Sequence, residues 1–156
     1  NKFDLYQNFH LKNLGPEPLE NKFNSKYFKK YIFGRNRIIK DILMDQKFVS
    51  GLGNIYVNEI LFFSCIKPTR KIKHLTDSEI NKVIKFTKKI LLRAITLGGS
   101  SIKDFSSSSG KKGLFQQEFR VYGRKGEFCR KTKCKSKIVK IVLANRASFF
   151  CDKCQK

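Results

Sequence analysis

From Asp77 onward the apolar positions Ile80, Val83, Ile84, Thr87, Ile90, Leu91, Ala94 and Ile95 recur three and four residues apart, the spacing of one buried helical face. Thr76 and Glu79 stand ahead of this run as a T-x-x-E capping box, and Gly98 and Gly99 close it. Shorter stretches carry the same period. A helix is predicted from about Asn24 to Ile32, stopped by Gly34, and RIIKDILMD (37–45) puts Ile38, Ile39, Ile42 and Leu43 on one face. Another helix is predicted from Asn54 to about Ser64. The prolines of GPEP (15–18) interrupt what precedes, and SSSSGKKG (106–113) reads as loop. Beyond residue 119 the pattern changes, and KSKIVKIVLANRASFF (135–150) holds two β-prone runs meeting at Ala144, Asn145 and Arg146. This is a hairpin whose tip carries an arginine.

Within VSGLGNIYVNEILF (49–62), Gly51 and Gly53 flank a single leucine just ahead of a predicted helix start. Glycine permits positive φ and close approach of another group, and a helix N-terminus offers free N–H groups to an anion. The stretch is therefore an expected anion site. Its neighbour Glu59 is read as a structural acceptor, and Cys65 as a small buried hydrophobe. His10 and His74 have no partner at metal or catalytic spacing.

Composition sharpens the anion reading. The chain has 156 residues with 34 lysines and arginines against 12 acids, a formal charge of +22, while 40% apolar content suffices for a packed core. Some of that excess reflects lysine filling solvated faces. The remainder calls for an acidic partner, and nucleic acid is the leading one. No apolar run is long enough to span a membrane and no leader opens the sequence, so a soluble intracellular protein is expected. The start at Asn1, without a turn or cap, points to a piece of something longer.

Four of the five cysteines, Cys129, Cys134, Cys151 and Cys154, are spaced C-x4-C, sixteen residues, C-x2-C. Paired thiolates on two turns separated by a hairpin form a tetrahedral cage for one structural Zn2+, with no coordination position left for water. Two disulfides are the competing arrangement, disfavoured in a chain of intracellular character. The fold class expected is mainly α with a small β zinc ribbon.

The blocks LGPEPL (14–19), LMDQKFVSGLGNIYVNEILF (43–62), VYGRKGEFC (121–129) and NRASFFCDKCQK (145–156) together resemble the carboxy-terminal half of bacterial formamidopyrimidine-DNA glycosylases. Order and spacing are preserved from about Leu11 to the end, and GNIY (53–56) sets the chain nearer this branch than the related endonuclease VIII branch. The resemblance implies a helix-two-turn-helix domain followed by a four-cysteine zinc-finger hairpin. Its boundaries would be 1–14 for a linker from a catalytic domain, 15–105 for the helical domain, 106–118 for a loop that closes over a lesion, and 119–156 for the finger.

Carried over residue by residue, the resemblance implies that Gly51, Gly53 and Asn54 approach a DNA phosphate and that Tyr122 touches another. Arg146 would reach into the minor groove beside an everted nucleotide, and Lys111, Lys112 and Gly113 would belong to the lesion loop. The first cysteine pair departs from the usual C-x2-C, which puts the geometry of that turn in question. The partner implied is double-stranded DNA, damaged or abasic, met by a monomer associated with the bacterial nucleoid in the cytoplasm. The activity implied for the whole protein is excision of 8-oxoguanine and formamidopyrimidines with AP lyase β,δ-elimination by an amino-terminal proline amine. That proline is absent here, so the chain alone is expected to be inactive. The alternative is a freestanding, non-catalytic, zinc-dependent binder of damaged or kinked DNA. A ribosome-associated zinc-ribbon protein would explain charge and cysteines but not GLGNIY or VYGRKG.

Overall fold

The computed structural model describes residues 13–99 and 114–156; the expected loop residues Lys111, Lys112 and Gly113 lie outside them. Helices α1 (Ser25–Ile32), α2 (Ile39–Met44), α3 (Asn54–Ser64) and α4 (Asp77–Thr96) precede strands β1 (Ile138–Leu143) and β2 (Arg146–Cys151), with 3-10 turns at Ile72–His74 and Phe115–Glu118. Mainly α with one small β hairpin is the architecture the sequence predicted. None of the described helices is long and apolar enough to cross a membrane.

Local chemistry accounts for the boundaries. The Asn24 side chain accepts the Tyr27 N–H at 3.0 Å and caps α1. Thr76 and Glu79 form both halves of the capping box, with Thr76 N–H to Glu79 at 2.8 Å and Glu79 N–H to Thr76 at 3.2 Å. Helix α2 is shorter than expected. Ile38 stands outside it as the extended N-cap and pairs with Lys71 in an antiparallel bridge.

Helix α3 is the centre of the fold. It packs against α2, α4 and β2, and Val57, Ile60 and Leu61 are fully buried. The main core joins them to Phe23, Phe28, Ile39, Ile42, Leu43, Phe48 and the inner face of α4. A second cluster, built from Phe62, Val121, Ile138 and Phe149, lies beneath the hairpin, and Phe63 and Tyr122 pack against both.

The segment around GPEP does more than punctuate the chain. The Gly15 N–H donates to the Gln46 carbonyl at 2.8 Å and the Ser50 N–H to the Pro16 carbonyl at 3.0 Å, pinning this segment on the turn before α3. A Cβ on Gly15 would stand 2.4 Å from the Phe48 carbonyl oxygen, so only glycine fits there.

One expectation fails. Cys65 is exposed, because α3 ends at Ser64 and Cys65 takes the left-handed conformation, φ 63°, which turns its side chain out of the core. Its Sγ lies 2.9 Å from the Lys131 ammonium.

Thr76→Ala should lower stability by about 1 kcal/mol through loss of the cap, read as a lower denaturant midpoint at unchanged slope.

Candidate nucleic-acid interface and metal centre

Three elements meet on one face: the turn before α3, the start of α3, and the hairpin. The turn is held by its own side chains. Gln46 accepts the Gly51 N–H at 2.7 Å and donates to the Leu52 carbonyl at 3.2 Å. Asp45 accepts the Lys47 N–H at 3.0 Å, the Arg37 guanidinium at 2.8 Å and the Tyr31 hydroxyl at 3.3 Å. Burial alone would raise the Asp45 carboxyl, but these bonds outweigh it and hold the group below its ordinary value.

Gly51 has φ +81°, the region glycine favours. Gly53 is the N-cap with φ −102°, and apart from its two chain neighbours no atom of the described residues lies within 4 Å of where its Cβ would stand. Nothing among the described residues therefore requires a glycine at 53, and the space is open to a group from outside. The first helical N–H with an acceptor is that of Val57, bonded to the Gly53 carbonyl at 3.1 Å. The N–H groups of Asn54, Ile55 and Tyr56 precede it and have no acceptor within the helix. The first turn carries no acid, so the positive helix end is uncompensated.

Opposite lies the hairpin. Ala144 and Asn145 both have positive φ, 47° and 60°, and form a two-residue turn between paired Leu143 and Arg146. Arg146 thus flanks the tip as the first residue of β2, exposed to solvent. Beneath it the Ala147 carbonyl accepts from Lys40 Nζ at 3.0 Å and Asn54 Nδ2 at 3.0 Å, with Asn58 Nδ2 at 3.5 Å. Lys40 also donates to the Ser148 hydroxyl, and Asn58 accepts the Phe149 N–H at 2.6 Å. The amide nitrogen of Asn54 is therefore directed at the hairpin backbone, while its own N–H has no acceptor among the described residues.

Glu59 completes the seam. It is 1% exposed and accepts the N–H groups of Arg120, Val121 and Tyr122 at 2.8, 2.9 and 2.9 Å. Burial pushes this carboxyl up, against the three N–H groups and the nearby Arg124. The expected role of structural acceptor is what the geometry shows. Tyr122, positioned by that bond, sets its ring edge-on to Phe119 and Phe149, 5.8 and 5.1 Å between centroids, and its hydroxyl has no partner among the described residues.

Lys40, Asn58 and Glu59 thus join the two modules, and sequence reasoning gave the first two no role. The available signal was their placement: Asn58 and Glu59 interrupt an otherwise apolar helix, and Lys40 sits inside the apolar run IIKDILM.

The cysteines converge as their spacing implies. The sulfur atoms of Cys129, Cys134, Cys151 and Cys154 all lie within 4.8 Å of one another, with Cys129–Cys154 at 3.9 Å and Cys134–Cys151 at 3.7 Å. A tetrahedral zinc with Zn–S of about 2.3 Å requires S···S of about 3.8 Å. The set therefore fits one Zn2+ held by four thiolates. Burial pushes the Cys129 and Cys154 thiols up, whereas a bond from the Ser136 N–H brings Cys134 down to about 7; a cation offsets the cost of ionising all four. The longer first loop closes by a turn, Cys134 N–H to Lys131 carbonyl at 3.0 Å, with Lys133 at φ 65°. Lys131 from that loop lies over the Phe62 ring at 4.8 Å, so the added residues dock on α3.

Comparison with known proteins agrees with this geometry. Residues 14–106 match the model of the formamidopyrimidine-DNA glycosylase H2TH domain, and residues 126–156 that of the zinc finger found in FPG and IleRS. The chain is 46% identical over 146 residues to formamidopyrimidine-DNA glycosylase of Hydrogenovibrio crunogenus, covering 94% of this chain and 51% of that one. The corresponding protein of Enterobacter is 47% identical, with 94% and 54% covered. The MutM (FPG) structure from Thermus thermophilus superimposes with a TM-score of 0.89 at 34% identity, covering 97% of this chain and 57% of that one. Lactococcus lactis Fpg with abasic-site DNA gives 0.89 at 38%, covering 99% and 56%. The chain spans about half the length of the curated relatives it matches.

Chelation should unfold residues 119–156 and spare the helices, since a four-thiolate site contributes on the order of 10 kcal/mol or more. NMR should lose the β1 and β2 amide signals while helical circular dichroism persists; an unchanged ribbon spectrum would contradict this.

Lys40 gives a pH test. Burial first, and then the Arg146 charge, lower its ammonium from 10.5 to about 8. Between those values the unfolded chain holds a proton the folded chain lacks, so this residue makes stability rise with pH across that window. Lys40→Met should flatten the rise, measured by denaturation at successive pH values.

Proposed function

The chain belongs to the formamidopyrimidine-DNA glycosylase H2TH-domain family, and from that premise we propose that it is the DNA-gripping part of a base-excision-repair glycosylase. Its partner is duplex DNA carrying an oxidised purine or an abasic site. The whole protein excises 8-oxoguanine and formamidopyrimidines and cleaves the strand by β,δ-elimination. It acts on the nucleoid in the bacterial cytoplasm. In this reading these residues supply the grip, and the family's amino-terminal proline supplies the attacking amine.

One observation supports the reading most strongly. Free N–H groups at the start of α3, the open space at Gly53 and the exposed Arg146 are tied into one surface by a single carbonyl, that of Ala147. A phosphate suits the helix end, which binds anions without reading sequence. The guanidinium on a stiff two-stranded arm suits a groove opened by an extruded nucleotide. In the same reading Tyr122 offers its unpartnered hydroxyl to a second phosphate. Zinc holds the arm in shape and takes no part in the chemistry. Contacts of this kind are mainly electrostatic, so affinity should fall steeply with salt.

The test is a binding titration on matched duplexes. Arg146→Ala should weaken binding to an abasic-site duplex by roughly tenfold or more, about the value of a good charged contact, and weaken intact duplex less. Equal loss on both would reduce Arg146 to a general phosphate contact.

A further inference from the structure

A second concave surface, of about 390 Å³, opens beside α1 and is lined by Tyr27, Lys30, Tyr31, Phe33 and Arg35. Every lining side chain is aromatic or cationic. Phe33 follows α1 in extended backbone and is 87% exposed, the most exposed large apolar side chain among the described residues. The Arg35 guanidinium lies over the Tyr31 ring, 4.4 Å from its centroid, and its Nε donates to the Tyr31 carbonyl at 2.7 Å. The cation is thus held as a flat plate rather than swinging in solvent. Neither Lys30 nor Arg35 has an ion-pair partner among the described residues.

The wall behind is rigid. Tyr31 packs on Phe48 at 4.8 Å, and Tyr27 stacks on Phe48 at 5.7 Å and 10°. Phe48 is fully buried and belongs to the turn that precedes α3. Its carbonyl accepts the Tyr27 hydroxyl at 2.7 Å. The adjoining carboxylate, Asp45, is engaged by Arg37 and Tyr31. Arg37 and Asp45 also line the hollow beside Leu143, Ala144 and Arg146. That hollow also takes in Lys40 and the acid Asp41, so a lining free of acids belongs to the cavity beside α1.

One exposed aromatic ring and two half-buried ones beside unpaired cations, with no acid in the lining, match the chemistry of unpaired nucleotides. Bases stack on flat side chains whatever their sequence, and phosphates pair with guanidinium and ammonium groups. We propose that this cavity holds an unpaired nucleotide of a DNA strand, its base against Phe33 and the Arg35–Tyr31 plate and its phosphate on Lys30 and Arg35. The proposal rests on the reading of the chain as a DNA-binding module and adds a second site to it.

The test compares a blunt duplex with the same duplex bearing a short single-stranded tail on either strand, titrated into the zinc-loaded chain by fluorescence anisotropy. The tail should tighten binding roughly tenfold, the order expected for stacking one base. Phe33→Ser should abolish that gain and leave the blunt duplex unaffected. Equal affinity for tailed and blunt duplexes overturns the cavity while leaving the module reading intact. A gain that survives Phe33→Ser but falls with Arg35→Gln overturns stacking in favour of a simple cation patch. Failure to bind either duplex overturns both readings.

Discussion

The Glu59 carboxylate, buried to within 1% of full burial, takes three consecutive N–H groups from residues 120–122, and the arrangement of the two modules depends on that bond set. An ionised group so far from water is costly unless its lone pairs are filled, and N–H groups so far from water are costly unless they are accepted. Each side therefore satisfies the other only when the segment after residue 119 lies in one place against α3. Asn58, one position earlier, repeats the arrangement with Phe149. Gln155 does so at the far end by donating to the Ile66 carbonyl at 2.9 Å. Apolar contact alone would let the ribbon slide on Phe62 and Phe63; directional bonds fix it.

That fixed placement gives the surface its character. Zinc shapes the hairpin, but the seam decides where the hairpin points. Because Lys40, Asn54 and Asn58 converge on the Ala147 carbonyl, Arg146 is set beside the start of α3 at a separation the fold determines. A partner reaching both must present its anionic and groove features at that separation. A net charge of +22 would otherwise attract any polyanion without preference.

Much of this was legible from the residues. Helix α4 followed from its period and capping box, α3 from the apolar run after Gly53, and the metal cage from four cysteines on two turns. Local signals sufficed because each of those elements is specified by neighbours in sequence. The seam was not legible, because its bonds join residues 61 to 108 positions apart, and an Asn, a Glu or a Lys within an apolar run announces burial without naming its partner. Cys65 misled for a related reason: its apolar neighbours implied burial, while the left-handed helix end turned it outward. The cavity beside α1 depends on a tertiary stack through Phe48, which no spacing rule reveals.

The most direct measurement is a crystal structure of the zinc-loaded chain on a duplex with one abasic site. The account predicts a phosphate on the N–H groups at the start of α3 over Gly53, with Arg146 in the minor groove at the lesion and the Glu59 bonds unchanged. DNA lying along the lysines of α4, with Gly53 and Arg146 both in solvent, would contradict it.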